Sequence, residues 1–352
     1  MSALRVERLL AWAALAFCAA NLSAQASPQT PAVDADCSKA AQTTAPHAVI
    51  SNGLVNAVLY LPDATNGYYR ARRFDWSGSV ACLAYKGHTY FGVWSEVWAP
   101  KYDPLTNDAI TGPVEEFRAA DGKSAPFYED AKPGGLFVKP GVGLMRRLDD
   151  KPFDFRVLYL LVDGGKWTIH SSKEAVSFRQ ELKSSPIGVA YDYTKTLRLD
   201  KSAPVLEIVH TLKNTGTKTI DTEVYDHDFY MLDNEPTGPA MSVRFAFDPR
   251  PGQPLQNDAR IDGKQLVFGR ELKPGEEVQQ DILGSSNSVS DYDLHVENSR
   301  TGAGVEQSGD VPLLLLHFWS IRSNISPEAY IHLNIPPGQT AHWTIRYRFY
   351  TK

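Results

Sequence analysis

YDHDFYMLD, running from Tyr225 to Asp233, sets a histidine between two aspartates inside a stretch that otherwise reads as a β-strand. Histidine exchanges protons near neutral pH. A strand interior tolerates that much polarity only where the groups are paired, exposed or used. Alternate residues of an extended strand share a face. Glu223, Tyr225, His227 and Phe229 are therefore expected to point one way, with Asp226, Asp228 and Tyr230 pointing the other. The first face carries an acid, a phenol, an imidazole and a ring, a surface suited to a sugar. The competing reading is a histidine hydrogen-bonded for structural reasons only.

Strand patterning extends outward from this run in both directions. AVISNGLVNAVLYLP, Ala48 to Pro62, holds two apolar runs around Asn52-Gly53. Asn-Gly predicts a tight hairpin, because both central residues of that turn take positive φ. Further runs rich in β-branched and aromatic residues cover 155–162, 167–171, 191–199, 205–212, 219–231, 241–247, 311–321, 329–335 and 342–350. Lys213 to Gly216 and Pro336 to Gly338 read as turns. The chain shows neither a long 3.6-residue periodicity nor a repeat of fixed length. Closely spaced strands without helices predict an all-β sandwich, and residues 46–352 read as a single large domain.

The N-terminal end is of a different kind. Arg5 and Arg8 precede a short apolar run, Leu9 to Leu22, and Ala24-Gln25-Ala26 has the small-x-small form of a cleavage site. Residues 1–26 are expected to be a secretory signal peptide, with export to the periplasm or medium. Phe17 stands where a lipidated Cys18 would require a small residue, so a lipoprotein signal is not expected. Residues 27–45 read as a flexible arm. No apolar segment is long enough for a comfortable membrane span. The chain is 43% hydrophobic with a formal net charge of −5 and no basic block, which argues against a nucleic-acid partner. Cys37 and Cys82 remain after cleavage, and an exported chain is expected to join them in a disulfide, two free thiols being the alternative.

Residues 66–143 are dense in Tyr, Trp, Arg, Glu and Gly. GYYRARRFDWSG spans Gly67 to Gly78, FGVWSEVW spans Phe91 to Trp98, and GGLFVKPGVGLMRR spans Gly134 to Arg147. Aromatic faces stack on the C–H face of a pyranose while charged forks bind its hydroxyls. The competing reading is sandwich core with surface ion pairs.

Several of these stretches together resemble the galactose mutarotase-like (aldose 1-epimerase) superfamily. They are the opening hairpin Val49 to Leu61, ARRFDWSG at 71–78, YDHDFYMLD, and the closing LNIPPGQTAHWTIRYRFY at 333–350. The resemblance implies a β-supersandwich with a sugar on the concave face of one sheet. It implies anomer interconversion, in which a base removes the anomeric hydroxyl proton and an acid protonates the ring oxygen. On it, His227 maps to the acid and Glu328 is chosen as the base. Arg73 maps to the binding arginine, with Arg70 and Arg72 competing for that place. His88 is the candidate for the family's upstream histidine, and Asp226 stands at its asparagine position. Asp75, Trp94, Glu96 and Tyr225 complete the candidate binding set.

Two other classes stay open. Glu96, Glu115, Glu116 and Glu129 could serve a glycoside hydrolase or polysaccharide lyase, since hydrolysis uses paired carboxylates. A non-catalytic carbohydrate-binding protein is the third. Asp226, Asp228 and Asp233 offer the oxygen ligands that calcium favours, but Asp226 and Asp228 lack the loop geometry of a calcium motif, so no metal is expected. No nucleotide fingerprint is present and no cofactor is expected. Gly134, Gly135, Gly141 and Gly143 read as turn formers. The expected partner is a mono- or oligosaccharide.

Overall fold

Period-two alternation builds most of the molecule. In Tyr191–Leu199 every odd-numbered residue is buried and every even one is at least partly open, as a strand between core and solvent requires. The computed structural model describes residues 37, 40, 43–94 and 111–352, all of which fall in one compact unit. The proposed signal peptide lies outside the described residues. Regular structure is almost wholly strand, arranged as sheets of ten, six, four and three strands.

The two large sheets pack face to face. Apolar side chains such as Leu197, Ile208 and Phe349 from the larger sheet, and Val224, Leu316 and Ile331 from the smaller, fill the space between. The six-stranded sheet runs in the order Arg250–Pro251, Glu277–Leu283, Leu315–Ile321, Asn324–Ile335, Ile220–His227, Val114–Ala119. Its other face is turned away from the sandwich. The all-β sandwich is the architecture expected from the strand pattern.

Local departures have physical causes. Only Gly53 takes positive φ in the opening hairpin. Asn52 instead accepts the amides of Leu54 and Val55 on its Oδ1, so the connection is a three-residue Asx-type loop and not the two-residue turn. The run expected to reach Met231 stops at His227, and Phe229 takes φ 47°. Residues 155–159 are loop and only Leu160–Asp163 pairs as strand. Glu277–Leu283 and Val114–Ala119 were not expected as strands. Each carries polar residues on both faces: Glu116 and Asp281 meet a cleft, Glu115 meets Lys195 and His210 inside the sandwich, and Gln280 is half-buried.

Candidate active site

Five strands of the smaller sheet line a cleft of about 1450 Å³. Strand register sets the side chains in rows across it. In one row Glu116, Tyr225, Tyr330 and Leu315 lie opposite one another. In the adjacent row Asp281 lies opposite His317, and His317 opposite Glu328. His227 completes this row, with Nε2 3.2 Å from Glu328 Oε1. His317 Nδ1 is 2.7 Å from Asp281 Oδ1. The result is a continuous line of four titratable side chains on four neighbouring strands.

Aromatic rings wall the line. The imidazole of His227 stacks on Phe229 with centroids 3.6 Å apart, and Trp319 meets its edge at 5.1 Å. The positive φ of Phe229 turns its ring back under the histidine once the strand has ended. Trp94 stacks on Phe229 at 5.4 Å. Trp319 Nε1 donates to Glu277 Oε1 at 2.7 Å, which fixes the indole face against the cleft. Trp319 is half-buried and offers flat apolar surface beside charge, as sugar recognition demands, while Phe229 and Trp94 are buried behind it.

Two glutamates face the cleft in different states. Glu116 accepts from Arg73 Nε at 2.8 Å, Lys139 Nζ at 2.9 Å and the Tyr225 hydroxyl at 2.7 Å. Burial alone would raise its pKa, but Lys139 and Arg73 outweigh burial and hold it at about 2. Glu328 accepts the Tyr330 hydroxyl at 3.0 Å. Burial dominates there and raises it to about 7, against the opposing pull of His317 and Arg73. Burial, then Arg73 and His317, push His227 well below the ordinary histidine range. Its Nδ1 is buried without a hydrogen-bond partner. Near neutral pH the pair is therefore a neutral His227 beside a Glu328 poised between acid and carboxylate. Phe74, Phe229 and Trp319 surround the His227 ring and exclude the water that would stabilise a cation.

The backbone path resembles known structures. A putative aldose 1-epimerase from Escherichia coli K12 superposes with a TM-score of 0.52 at 12% identity, covering 87% of this chain and 99% of that one. A galactose mutarotase-like protein from Lactobacillus casei ATCC 334 gives 0.51 at 12%, covering 86% and 100%. The GalM/aldose epimerase homologue from C. elegans gives 0.51 at 13%, covering 88% and 99%. The chain has the galactose mutarotase-like fold. No protein-family model matches the sequence, and no curated protein matches it. At these identities the likeness speaks for the mutarotase-like fold alone.

Within that fold, Arg73, Trp94, Tyr225, His227 and Glu328 all line the cleft. Glu328 lies inside the long strand Asn324–Ile335 and not ahead of it. Five other candidates are elsewhere. Asp226 is on the reverse face, bonded to the Tyr347 hydroxyl, because alternation sends it into the sandwich. Asp75 is also interior: it accepts from Ser77 and Tyr193, and a Cβ on Gly141 would lie 2.4 Å from its Cγ. Arg70 is spent on the carbonyl of Thr65. His88 Nδ1 sits 2.9 Å from Asp233 Oδ2, away from the cleft. Arg72 donates to the carbonyl of Tyr159. Glu96 lies outside the described residues. Among the other carboxylates, Glu115 faces the larger sheet and pairs with Lys195 and His210, and Glu129 is exposed beside Arg147. Cys37 and Cys82 are joined, with Cα atoms 5.5 Å apart. Asp233 is drawn off by His88, so the three aspartates considered for a metal do not converge.

Sequence reading missed His317, Asp281, Trp319, Glu277, Gln279 and Tyr330, all of which line the cleft. The signal was available. LLHFWSI alternates so that Leu315, His317 and Trp319 share a face, and EVQQDIL does the same with Glu277, Gln279 and Asp281.

Proposed function

We propose that this protein is an exported carbohydrate-active enzyme of the aldose 1-epimerase type, with Glu328 and His227 as its proton-transfer centre. The observation that carries the reading is the Glu328–His227 contact at 3.2 Å on the cleft face of the sheet. A carboxyl poised near neutrality can both take and return a proton, which anomer exchange requires. Ring opening removes the anomeric hydroxyl proton, breaks the C1–O5 bond and protonates O5. Rotation about C1–C2 and reversal of the steps closes the other anomer. Trp319, the half-buried ring of the three, supplies stacking surface for the sugar, and Phe229 and Trp94 are packed behind it. Arg73 is held by Glu116 and Tyr225, so it acts as a fixed donor platform. Polarimetry of freshly dissolved α-D-glucose and α-D-galactose tests the reading. Acceleration over buffer supports it, and buffer-rate equilibration of every aldose tried refutes it.

The size of the cleft favours a second reading. At about 1450 Å³ it exceeds the roughly 300–1,000 Å³ typical of a drug-sized ligand, which suits an oligosaccharide and a hydrolase or lyase. Glu116 does not serve that chemistry as a general acid, because Lys139 and Arg73 keep it ionised. Asp281 or Glu277 would have to partner Glu328. New reducing ends or unsaturated products without anomer exchange would establish this alternative.

Export is supported by the leader-like pattern of residues 1–26 and by the Cys37–Cys82 bridge, which persists in oxidising compartments. The intact mass of the exported form should correspond to a chain beginning near Ser27; retention of residues 1–26 would refute cleavage.

A further inference from the structure

Ring opening moves two protons at two neighbouring oxygens. The Glu328–His227 pair serves only one of those oxygens, because His227 Nε2 is turned to Glu328 Oε1 at 3.2 Å. Its two members face each other, and the remaining nitrogen of His227 is sealed in the protein without a partner. A second proton source is therefore needed on the cleft wall.

We infer that His317, oriented by Asp281, is that source: it delivers the proton to the ring oxygen while Glu328 receives the anomeric proton. The inference rests on the anomer-exchange reading. Three observations carry it. His317 and Glu328 are direct cross-strand partners on the cleft face, so groups on one sugar ring reach both. His317 Nδ1 is engaged by Asp281 at 2.7 Å, which leaves Nε2 as the nitrogen that exchanges with a ligand, as second-shell carboxylates commonly arrange. Its side chain is 27% exposed, against 4% for His227, so it is open to sugar and solvent.

The step balances. Glu328 carboxylate accepts the proton of the O1 hydroxyl, and the O–H electron pair becomes the C1=O bond. The C1–O5 pair leaves on O5, which takes the proton of His317 Nε2. Imidazolium becomes neutral imidazole and the carboxylate becomes the acid. After rotation, O5 attacks the other face of C1 and returns its proton to His317, and the carbonyl oxygen recovers its proton from Glu328. His227 contributes by positioning: its Nε2 holds the Glu328 carboxyl. The charged and titratable groups facing His317 are Asp281 on the strand to one side, Glu328 on the strand to the other and His227 beyond it, with Arg73 acting on both members of the pair.

The test uses the full mature chain and fresh α-D-glucose and α-D-galactose. His317→Ala should lower kcat about 10²-fold or more with KM within a few-fold, and added imidazole should restore part of the loss. His317→Gln, which keeps volume and polarity, should be as slow and should not respond to imidazole. Both variants should lose one limb of the pH–rate profile while keeping the wild-type melting temperature within a few degrees. Asp281→Asn should cost about tenfold. Wild-type kcat in His317→Ala overturns the inference. So does a loss that imidazole leaves untouched and that keeps the wild-type pH profile, since that marks a packing role. If the wild-type protein itself fails to accelerate either sugar, the anomer-exchange reading falls first and the assignment falls with it.

Discussion

Glu116 and Glu328 share a sheet, a cleft and a motif, yet differ in charge near neutral pH. Each accepts a tyrosine hydroxyl, and the two tyrosines, Tyr225 and Tyr330, stack with centroids 4.2 Å apart. An arginine donates to each phenol, Arg73 to Tyr225 and Arg118 to Tyr330. The difference is direct contact with cations. Arg73 and Lys139 also touch Glu116 itself. Glu328 meets only Tyr330 and His227 among the described residues. Where cations touch the carboxylate they overcome burial; where a hydroxyl stands between, burial wins. One glutamate is thereby a permanent anion that organises the cleft, and its neighbour becomes a group able to exchange protons.

The largest effect should come from breaking the Glu116 side. Lys139→Met strips a buried partner from a buried carboxylate and should destabilise the fold by about 3 kcal/mol or more, read from urea midpoints at pH 7. A midpoint matching wild type would remove the premise that Glu116 is a buried anion. Next, Glu328→Gln should cut anomer exchange about 10²-fold or more with the fold retained; full polarimetric activity in this variant would end its catalytic role.

Stability against pH should then separate the two glutamates by sign. Glu116 is lowered from 4.5 to about 2, so its contribution is present above 4.5 and lost as pH falls through 2. Glu116→Gln should destabilise at pH 7, with the gap to wild type closing in acid. Glu328 is raised from 4.5 to about 7, so its contribution is complete below 4.5 and lost as pH rises through 7. Glu328→Gln should be more stable than wild type at pH 8–9, by up to about 3 kcal/mol, and equal to it near pH 4. Parallel behaviour of the two variants would contradict the contrast. The smallest effect is expected from Tyr330→Phe. Losing one hydrogen bond, worth about 1 kcal/mol, should raise Glu328 further and move the matching limb of the pH–rate profile upward. An unmoved limb would show that the hydroxyl does not tune the acid.

Much of this was legible locally. The two-faced reading of YDHDFYMLD holds: Tyr225 and His227 line the cleft, and Asp226 and Asp228 share Tyr347 behind it. Period two is a property of consecutive residues, so it can be read without a partner. The same rule exposes His317 in LLHFWSI, inside a run read as strand but without its faces being assigned, and Asp281 in EVQQDIL, whose polarity hides the strand. Asp75 could not be placed this way. It belongs to an irregular segment, and apart from nearby Ser77 its surroundings, Tyr193 and Gly141, come from distant parts of the chain.

By itself, the sequence determined that this chain is built of strands, where many of them lie, and which face His227 takes, because hydrophobic alternation and turn chemistry act over a few residues. Tertiary structure alone decided that His227 meets Glu328, that Asp281 orients His317, and that Glu116 and Glu328 differ in charge. Those outcomes depend on strand register and on which cation reaches which carboxylate, and a shift of one residue in pairing would turn each side chain to the opposite face.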